Sequence, residues 1–228
     1  MSIGMSSPNE NVAVFDVCNT LYRVNTTAEF IRFLHQENGS RLRTLTLAFL
    51  RSRRLPIRYV LILLGRLTNL DVLRNLIILT IRGIPQTIIN DTACRFVDEA
   101  LPSQSIIEVH HILEECRGRD MKIFLASSSL DVVVGAIAKK LNTDYVASIL
   151  AYDSGRATGF LSKDITGRKT EALHAQHNLD PSCVELVCTD NSSDATLLSQ
   201  ASRKIVVASR GKVPPTLAKE GSEFVYVE

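Results

Sequence analysis

Short apolar runs of strand length recur along the chain: Val12–Asp16, Lys122–Ala126, Val184–Cys188 and Lys204–Ala208. Val12, Val14, Val184 and Val206 give these runs β-branched character, whereas Lys122–Ala126 rests more on Ile123 and Phe124. Helical stretches, Asp131–Leu141 and Lys169–Asn178, lie between the later runs. Strands alternating with helices predict an α/β fold, a parallel sheet covered on both faces. Tyr145–Tyr152 and Ala157–Leu161, joined through Asp153-Ser154-Gly155, predict a hairpin at its edge, and Glu223–Val227 a last strand.

From Arg23 to Ser103 the strand pattern disappears. The segment reads as four or five helices, punctuated at Asn38-Gly39-Ser40, Pro56 and Gly83 to Pro85. It holds 12 arginines, no lysine and 6 acidic residues, a net +6 in a chain of net +2. The expected organisation is therefore a core of residues 1–22 and 104–228, with an all-helical cap, 23–103, inserted after the first strand and lying over the active edge of the sheet. A length of 228 residues and 45% hydrophobic content suit such a core with an insert.

Charge and composition narrow the setting. Five scattered cysteines (Cys18, Cys94, Cys116, Cys183, Cys188) without a CxxC pair argue against a disulfide framework and for a reducing, cytoplasmic setting. Met1–Asn11 is polar and lacks a signal-peptide core, and Arg58, Arg66, Asp71 and Arg74 interrupt the most apolar region before it reaches the length of a span. No nucleic-acid partner is expected, and the oligomeric state is open.

Ligands of open parallel sheets bind beyond the carboxyl ends of the strands. Here those ends carry or lead to Asp16 (in Phe15-Asp16-Val17-Cys18-Asn19-Thr20-Leu21), Ser127, Lys169 (in Gly167-Arg168-Lys169-Thr170) and the run Cys188-Thr189-Asp190-Asn191-Ser192-Ser193-Asp194. Converging carboxylates from Asp16, Asp190 and Asp194 would repel one another, and a hard divalent cation such as Mg2+ removes the difficulty. Ser127 and Lys169 are then free to hold phosphate oxygens, and a carboxylate beside the ion can attack phosphorus.

These motifs, in this order from Val12 to about Ser199, resemble the four motifs of the haloacid dehalogenase (HAD) superfamily, most closely its phosphoserine-phosphatase-like branch with a helical cap. The resemblance implies a Rossmann-like three-layer α/β/α core, magnesium, and hydrolysis of a small phosphorylated substrate through an aspartyl phosphate. It implies that Asp16 is nucleophile and metal ligand, that the Cys18 backbone carbonyl is a ligand, and that Asp190 coordinates the ion, with Asp194 coordinating it or orienting its waters. Ser127 and Lys169 would bind the phosphoryl group, with Ser128 and Asn191 beside them, and Thr20 would position the motif loop.

Two positions depart from that pattern. Asn19 replaces a glycine in a tight loop, a cheap exchange if the backbone there needs positive φ. Cys18 stands where phosphatases of the family carry a second aspartate that protonates the leaving group, help worth roughly 100- to 10,000-fold. A thiol is a weak donor and a poor base. The chain could then be a slow phosphatase, act on good leaving groups, or hold a long-lived phosphoaspartate. Carbon–halogen hydrolysis, as in the superfamily's 2-haloacid dehalogenases, and a phosphate-binding regulatory module are the alternatives. Asp190 speaks against the dehalogenases, which lack a carboxylate there.

The other conspicuous residues have plainer readings. His110 and His111 read as surface or helix-end residues late in a helix, and His174 and His177 as solvent-exposed. Cys188 reads as core, and Lys163, around the hairpin, as a fallback for Lys169. Arginines mixed with Leu, Ile and Phe, in Leu50-Arg51-Ser52-Arg53-Arg54 and Tyr59–Leu64, admit a peripheral contact with anionic lipid.

Overall fold

The computed structural model of the protein describes residues 11–51, 59, 71–209, 213–218 and 221–227. In chain order the elements are β1 (Val12–Phe15), α1 (Thr26–Glu37), α2 (Arg41–Arg51), α3 (Val72–Leu79), α4 (Gln86–Arg95, continued by a π-helical turn, Phe96–Ala100), α5 (Ile107–Gly118), β2 (Lys122–Leu130) and α6 (Asp131–Leu141). There follow β3 (Asp144–Asp153), β4 (Arg156–Lys163), α7 (Lys169–His177), β5 (Val184–Thr189), α8 (Ala195–Gln200), β6 (Arg203–Ser209) and β7 (Ser222–Val227). Apart from Tyr59, the cap sequence across 52–70, including Pro56 and most of the basic-apolar run, lies outside the described residues, as does nearly all of the polar N-terminus.

The strands form one sheet in the order β4-β3-β2-β1-β5-β6-β7, parallel throughout except for the β3–β4 hairpin. β1 is central because both of its faces are apolar. Val12 and Val14 join Leu173 of α7 and Leu197 of α8 on one side, while Ala13 and Phe15 join Val109 and Leu113 of α5 on the other. Each such buried side chain contributes about 1.5–3 kcal/mol, so a one-residue slip of β1 would invert both faces at once. From β1 the chain builds outward through β2, β3 and β4 on one side, then crosses to β5 on the other. That makes the carboxyl end of β1 the crevice of the sheet.

Helices α1 to α4 lie between the first two strands in sequence and share a core with them. Phe30, Ile31, Ile78, Ile89 and Phe96 belong to the same cluster as Phe15 and Leu125. The start of α1 is set by Asn25, whose side chain accepts from Ala28 N at 3.0 Å, and that of α3 by Asp71, which accepts from Arg74 N. The turn after α3 is stitched to the hairpin by Gly83 N to Ala157 O (2.7 Å), Ala157 N to Ile84 O (2.9 Å) and Gln86 N to Gly155 O (2.9 Å).

Some elements differ from the sequence expectation. β2 continues past Ser127 to Leu130, with a register break against β3 between Ser127 and Leu130. Backbone geometry, not apolar side chains, carries that extension, so Ser127-Ser128-Ser129 gave no strand signal. The second strand of the hairpin, β4, runs past Leu161 to Lys163. His110 falls in the first half of α5 and is half-buried edge-on against Tyr22, with ring centroids 5.4 Å apart; His177 is likewise half-buried, its Nε2–H donating to Tyr145 O at 3.0 Å, and lies edge-on to Phe124. Aromatic neighbours distant in sequence cover both rings.

Candidate active site

Asp16 follows the last residue of β1. Phe15 pairs with Leu125 on β2 and with Cys188 on β5, so Asp16 sits between the ends of both neighbours, its N–H bonded to Cys188 O at 2.9 Å. Its side chain is 5% exposed. Val17 N donates to Asp16 Oδ1 at 2.7 Å, and Lys169 Nζ approaches the same oxygen at 3.0 Å. Lys169 opens α7 after the left-handed Gly167 (φ 69°) and is itself buried. Its ammonium also meets Asp194 Oδ2 at 2.6 Å, and Thr189 Oγ1 donates to that oxygen at 2.7 Å. Asp16, Lys169 and Asp194, far apart in sequence, thus form one buried chain of charges.

Asp190 belongs to a second arm. Its backbone N–H donates to Thr20 Oγ1 (3.1 Å), and Thr20 Oγ1 donates to Asp190 Oδ1 (3.2 Å). Thr20 is fully buried, and the loop that presents it turns at Asn19 with φ 51°, the positive value expected of a residue standing in for glycine. Ser127, buried, has its hydroxyl accepting from Ser129 N; Ser128 offers its carbonyl to Arg74; Asn191 accepts from Ser193 N at 3.0 Å and so caps the short turn leading to Asp194.

The Cys18 thiol does not stand free. It lies 3.0 Å from Ser129 Oγ and 3.1 Å from Thr26 Oγ1, and Thr26 N donates to it at 3.3 Å; the two hydroxyls are 2.6 Å apart. Burial first, and then the nearby Asp16 charge, push the thiol above its usual range, so it stays protonated at neutral pH.

The charge balance of the site is unequal. Burial raises the Asp16 carboxyl, against the lowering effect of Lys169. Burial would lower Lys169, but Asp16 and Asp194 outweigh it and raise the ammonium instead. Asp190 is pushed up to about 7, by burial and then by the Asp16 charge. Among the described residues three carboxylates share one buried lysine, Lys169. Among the described residues no three His, Cys, Asp or Glu side chains stand ready as a metal cage. Two carboxylates plus a carbonyl, with water completing the shell, is nevertheless the donor set that suits Mg2+. Asp16, Asp190 and the Cys18 carbonyl can supply it; Asp194 has one oxygen taken by Lys169 and Thr189.

Removing the lysine tests this balance. Lys169→Met leaves Asp16 and Asp194 buried and unpaired, and is expected to destabilise the fold by about 3–5 kcal/mol at pH 7. The loss shrinks as the pH falls and the Asp16 carboxyl, raised by burial, takes up its proton. Urea unfolding at pH 7 and pH 5 measures it, and an equal loss at both would refute the electrostatic cause.

Sequence reasoning missed the supporting residues: Thr189, Thr26 and Ser129. Thr189 alone had a signal, as a polar residue at a buried strand end. At the crevice of a Rossmann-like parallel sheet, then, stands a buried carboxylate paired with a buried lysine. The haloacid dehalogenase-like hydrolase family model matches residues 13–199, and the chain belongs to that family.

No curated protein matches the chain. Among solved structures, a HAD family hydrolase from Salmonella enterica serovar Typhi is 14% identical, with 90% of this chain and 64% of that one covered and a TM-score of 0.59. A protein of unknown function from Bordetella pertussis is 15% identical, covering 89% and 92%, with a TM-score of 0.69. A phosphoserine phosphatase from T. onnurineus is 21% identical over 99% and 94%, with a TM-score of 0.54. These likenesses are of fold.

Proposed function

We propose that the protein is a magnesium-dependent phosphatase acting on a small phosphomonoester through an aspartyl phosphate at Asp16. The observation that carries this reading is Lys169, buried and bridging Asp16 and Asp194 at 3.0 and 2.6 Å. A lysine so placed neutralises oxygens arriving at Asp16 and leaves the carboxylate charged for attack. The nucleophilic oxygen of Asp16 forms a bond to phosphorus while the bond to the leaving oxygen breaks, that oxygen keeping the electron pair. Ser127 and Lys169 hold the phosphoryl oxygens, and water then cleaves the acyl phosphate. Asp16, Asp190 and the Cys18 carbonyl would hold magnesium, which would supply positive charge to the phosphoryl oxygens. Asp194 orients Lys169.

Cys18, a protonated thiol tied to Thr26 and Ser129, gives the leaving oxygen no carboxylic acid. The substrates it favours are therefore esters whose alcohol departs without a proton. A phosphoserine phosphatase shares the fold, and amino-acid phosphates join sugar, nucleotide and lipid phosphates in the screen that tests the reading. Phosphate release is expected with Mg2+ and not with EDTA; release undiminished by EDTA would reject it.

Magnesium binding has a readout apart from activity. The raised Asp190 carboxyl, at about 7 against an ordinary 3.8, makes the metal-free fold lose stability as the pH climbs from about 4 toward 7. Protons compete with the ion for Asp190 below about pH 7. Magnesium should therefore raise Tm more at pH 8 than at pH 5, and an equal or opposite shift would contradict its placement at Asp190.

The cap residues 23–103 form the cover of this site in the same reading. Helix α2 presents Leu42, Leu45 and Phe49, 76%, 66% and 51% exposed, along one stripe beside Arg41 and Arg43. That pattern supports a peripheral contact with anionic lipid. No helix among the described residues is long and apolar enough to cross a membrane. Sedimentation with phosphatidylglycerol liposomes at low salt should carry the protein down and Leu45→Asp should release it; no sedimentation of the wild type removes the contact.

A further inference from the structure

Arg74 lies in the first turn of α3, in the helical insert, yet its side chain ends in the catalytic core. It is 12% exposed. One guanidinium nitrogen donates to both oxygens of Asp164 (3.1 Å each) and to Thr166 Oγ1 (2.9 Å), and the other donates to Ser128 O. Asp164 is the hub of the turn between β4 and α7. It also accepts from Ser148 Oγ at 3.1 Å, from Thr166 N at 3.0 Å and from Thr166 Oγ1 at 2.7 Å.

That turn delivers Lys169, five residues beyond Asp164, and Ser128 directly follows Ser127. A single side chain therefore ties the end of β2 that presents Ser127 to the turn that leads to Lys169. The planar fork of arginine suits this, since its donors point to several acceptors in fixed directions.

Helix α3 is itself held at its other end. Gly159 on β4 has φ 83°, and a Cβ there would stand 3.1 Å from Leu79 Cα, so the helix backbone rests directly on the hairpin. The turn beyond α3 is hydrogen-bonded to the same hairpin at 2.7 and 2.9 Å. Arg74 thus projects from an anchored helix.

We infer that Arg74 is a positioning residue, a buttress that fixes the Ser127 and Lys169 loops relative to each other. The inference rests on the phosphate-holding role of those two residues. In this role Arg74 touches no substrate, and its loss weakens every phosphate ligand alike.

Hydrogen exchange and kinetics on Arg74→Ala, Arg74→Lys and Asp164→Asn test it. Arg74→Ala is expected to speed exchange in residues 126–130 and 164–168 together, and to lower kcat/KM for p-nitrophenyl phosphate by about 100-fold, the scale of a small misplacement in a site. Inhibition by inorganic phosphate should weaken in parallel. Arg74→Lys should recover little, since a point charge cannot span both loops, and Asp164→Asn should loosen 164–168 while sparing 126–130. Unchanged exchange in both loops overturns the proposal, as does a loss confined to substrates carrying a second anion, which would make Arg74 a substrate contact. A wild-type chain inert toward all phosphate esters would reject the phosphatase reading, and the paired exchange response alone would then decide the buttress.

Discussion

Asp16→Asn is expected to lower phosphate release by at least about 1,000-fold, the scale of removing a nucleophile that acts as part of a unit. The replacement is nearly isosteric, and an amide oxygen can still accept from Val17 N, which now donates to Asp16 Oδ1 at 2.7 Å. Lys169 keeps Asp194 at 2.6 Å as its counter-ion, so the fold should survive. Loss of activity with little loss of Tm separates chemistry from structure. Acid-quenched wild type should carry a hydroxylamine-sensitive phosphate that the variant lacks. A variant that releases phosphate at the wild-type rate would remove Asp16 from its role and with it the aspartyl-phosphate mechanism.

Cys18→Asp should act in the opposite direction. A carboxylic acid at this position can protonate a departing alkoxide, and help of that kind is worth roughly 100- to 10,000-fold. The surroundings suit it: Thr26 N, Thr26 Oγ1 and Ser129 Oγ, which now surround the thiol at 3.0 to 3.3 Å, can all donate to a carboxylate. Burial and the Asp16 charge, which raise the thiol, would raise a carboxyl in the same place and help it keep its proton. The gain should be large for alkyl phosphates and small for p-nitrophenyl phosphate, whose leaving group needs no proton. Equal rates for wild type and variant on alkyl phosphates would show that this position does not serve the leaving group.

The strand cores were legible because burial on both faces demands apolar residues at successive positions. Val12 to Phe15 read as an interior strand, and the alternation of later strands and helices led to a parallel sheet. The order of Asp16, Ser127, Lys169 and Asp190 to Asp194 at strand ends was also readable, since ligand sites in such sheets gather at carboxyl ends. The extension of β2 through three serines was hidden, because it depends on backbone pairing that side-chain hydropathy does not report. His110 read as exposed because nothing near it in sequence announces Tyr22 as its cover.

By itself the sequence determined the layered architecture and which polar groups stand at the strand ends, because hydrophobic periodicity and strand-end chemistry are local properties of the chain. Only the tertiary structure decided what those groups do to one another. Lys169 pairs with Asp16 and Asp194, Asp190 leans on Thr20, Cys18 is held by Thr26 and Ser129, and Arg74 reaches across to Asp164 and Ser128. Those pairings follow from distance and burial, which raise or lower each charge by its surroundings, and contacts between residues up to 170 positions apart leave no pattern in a linear chain.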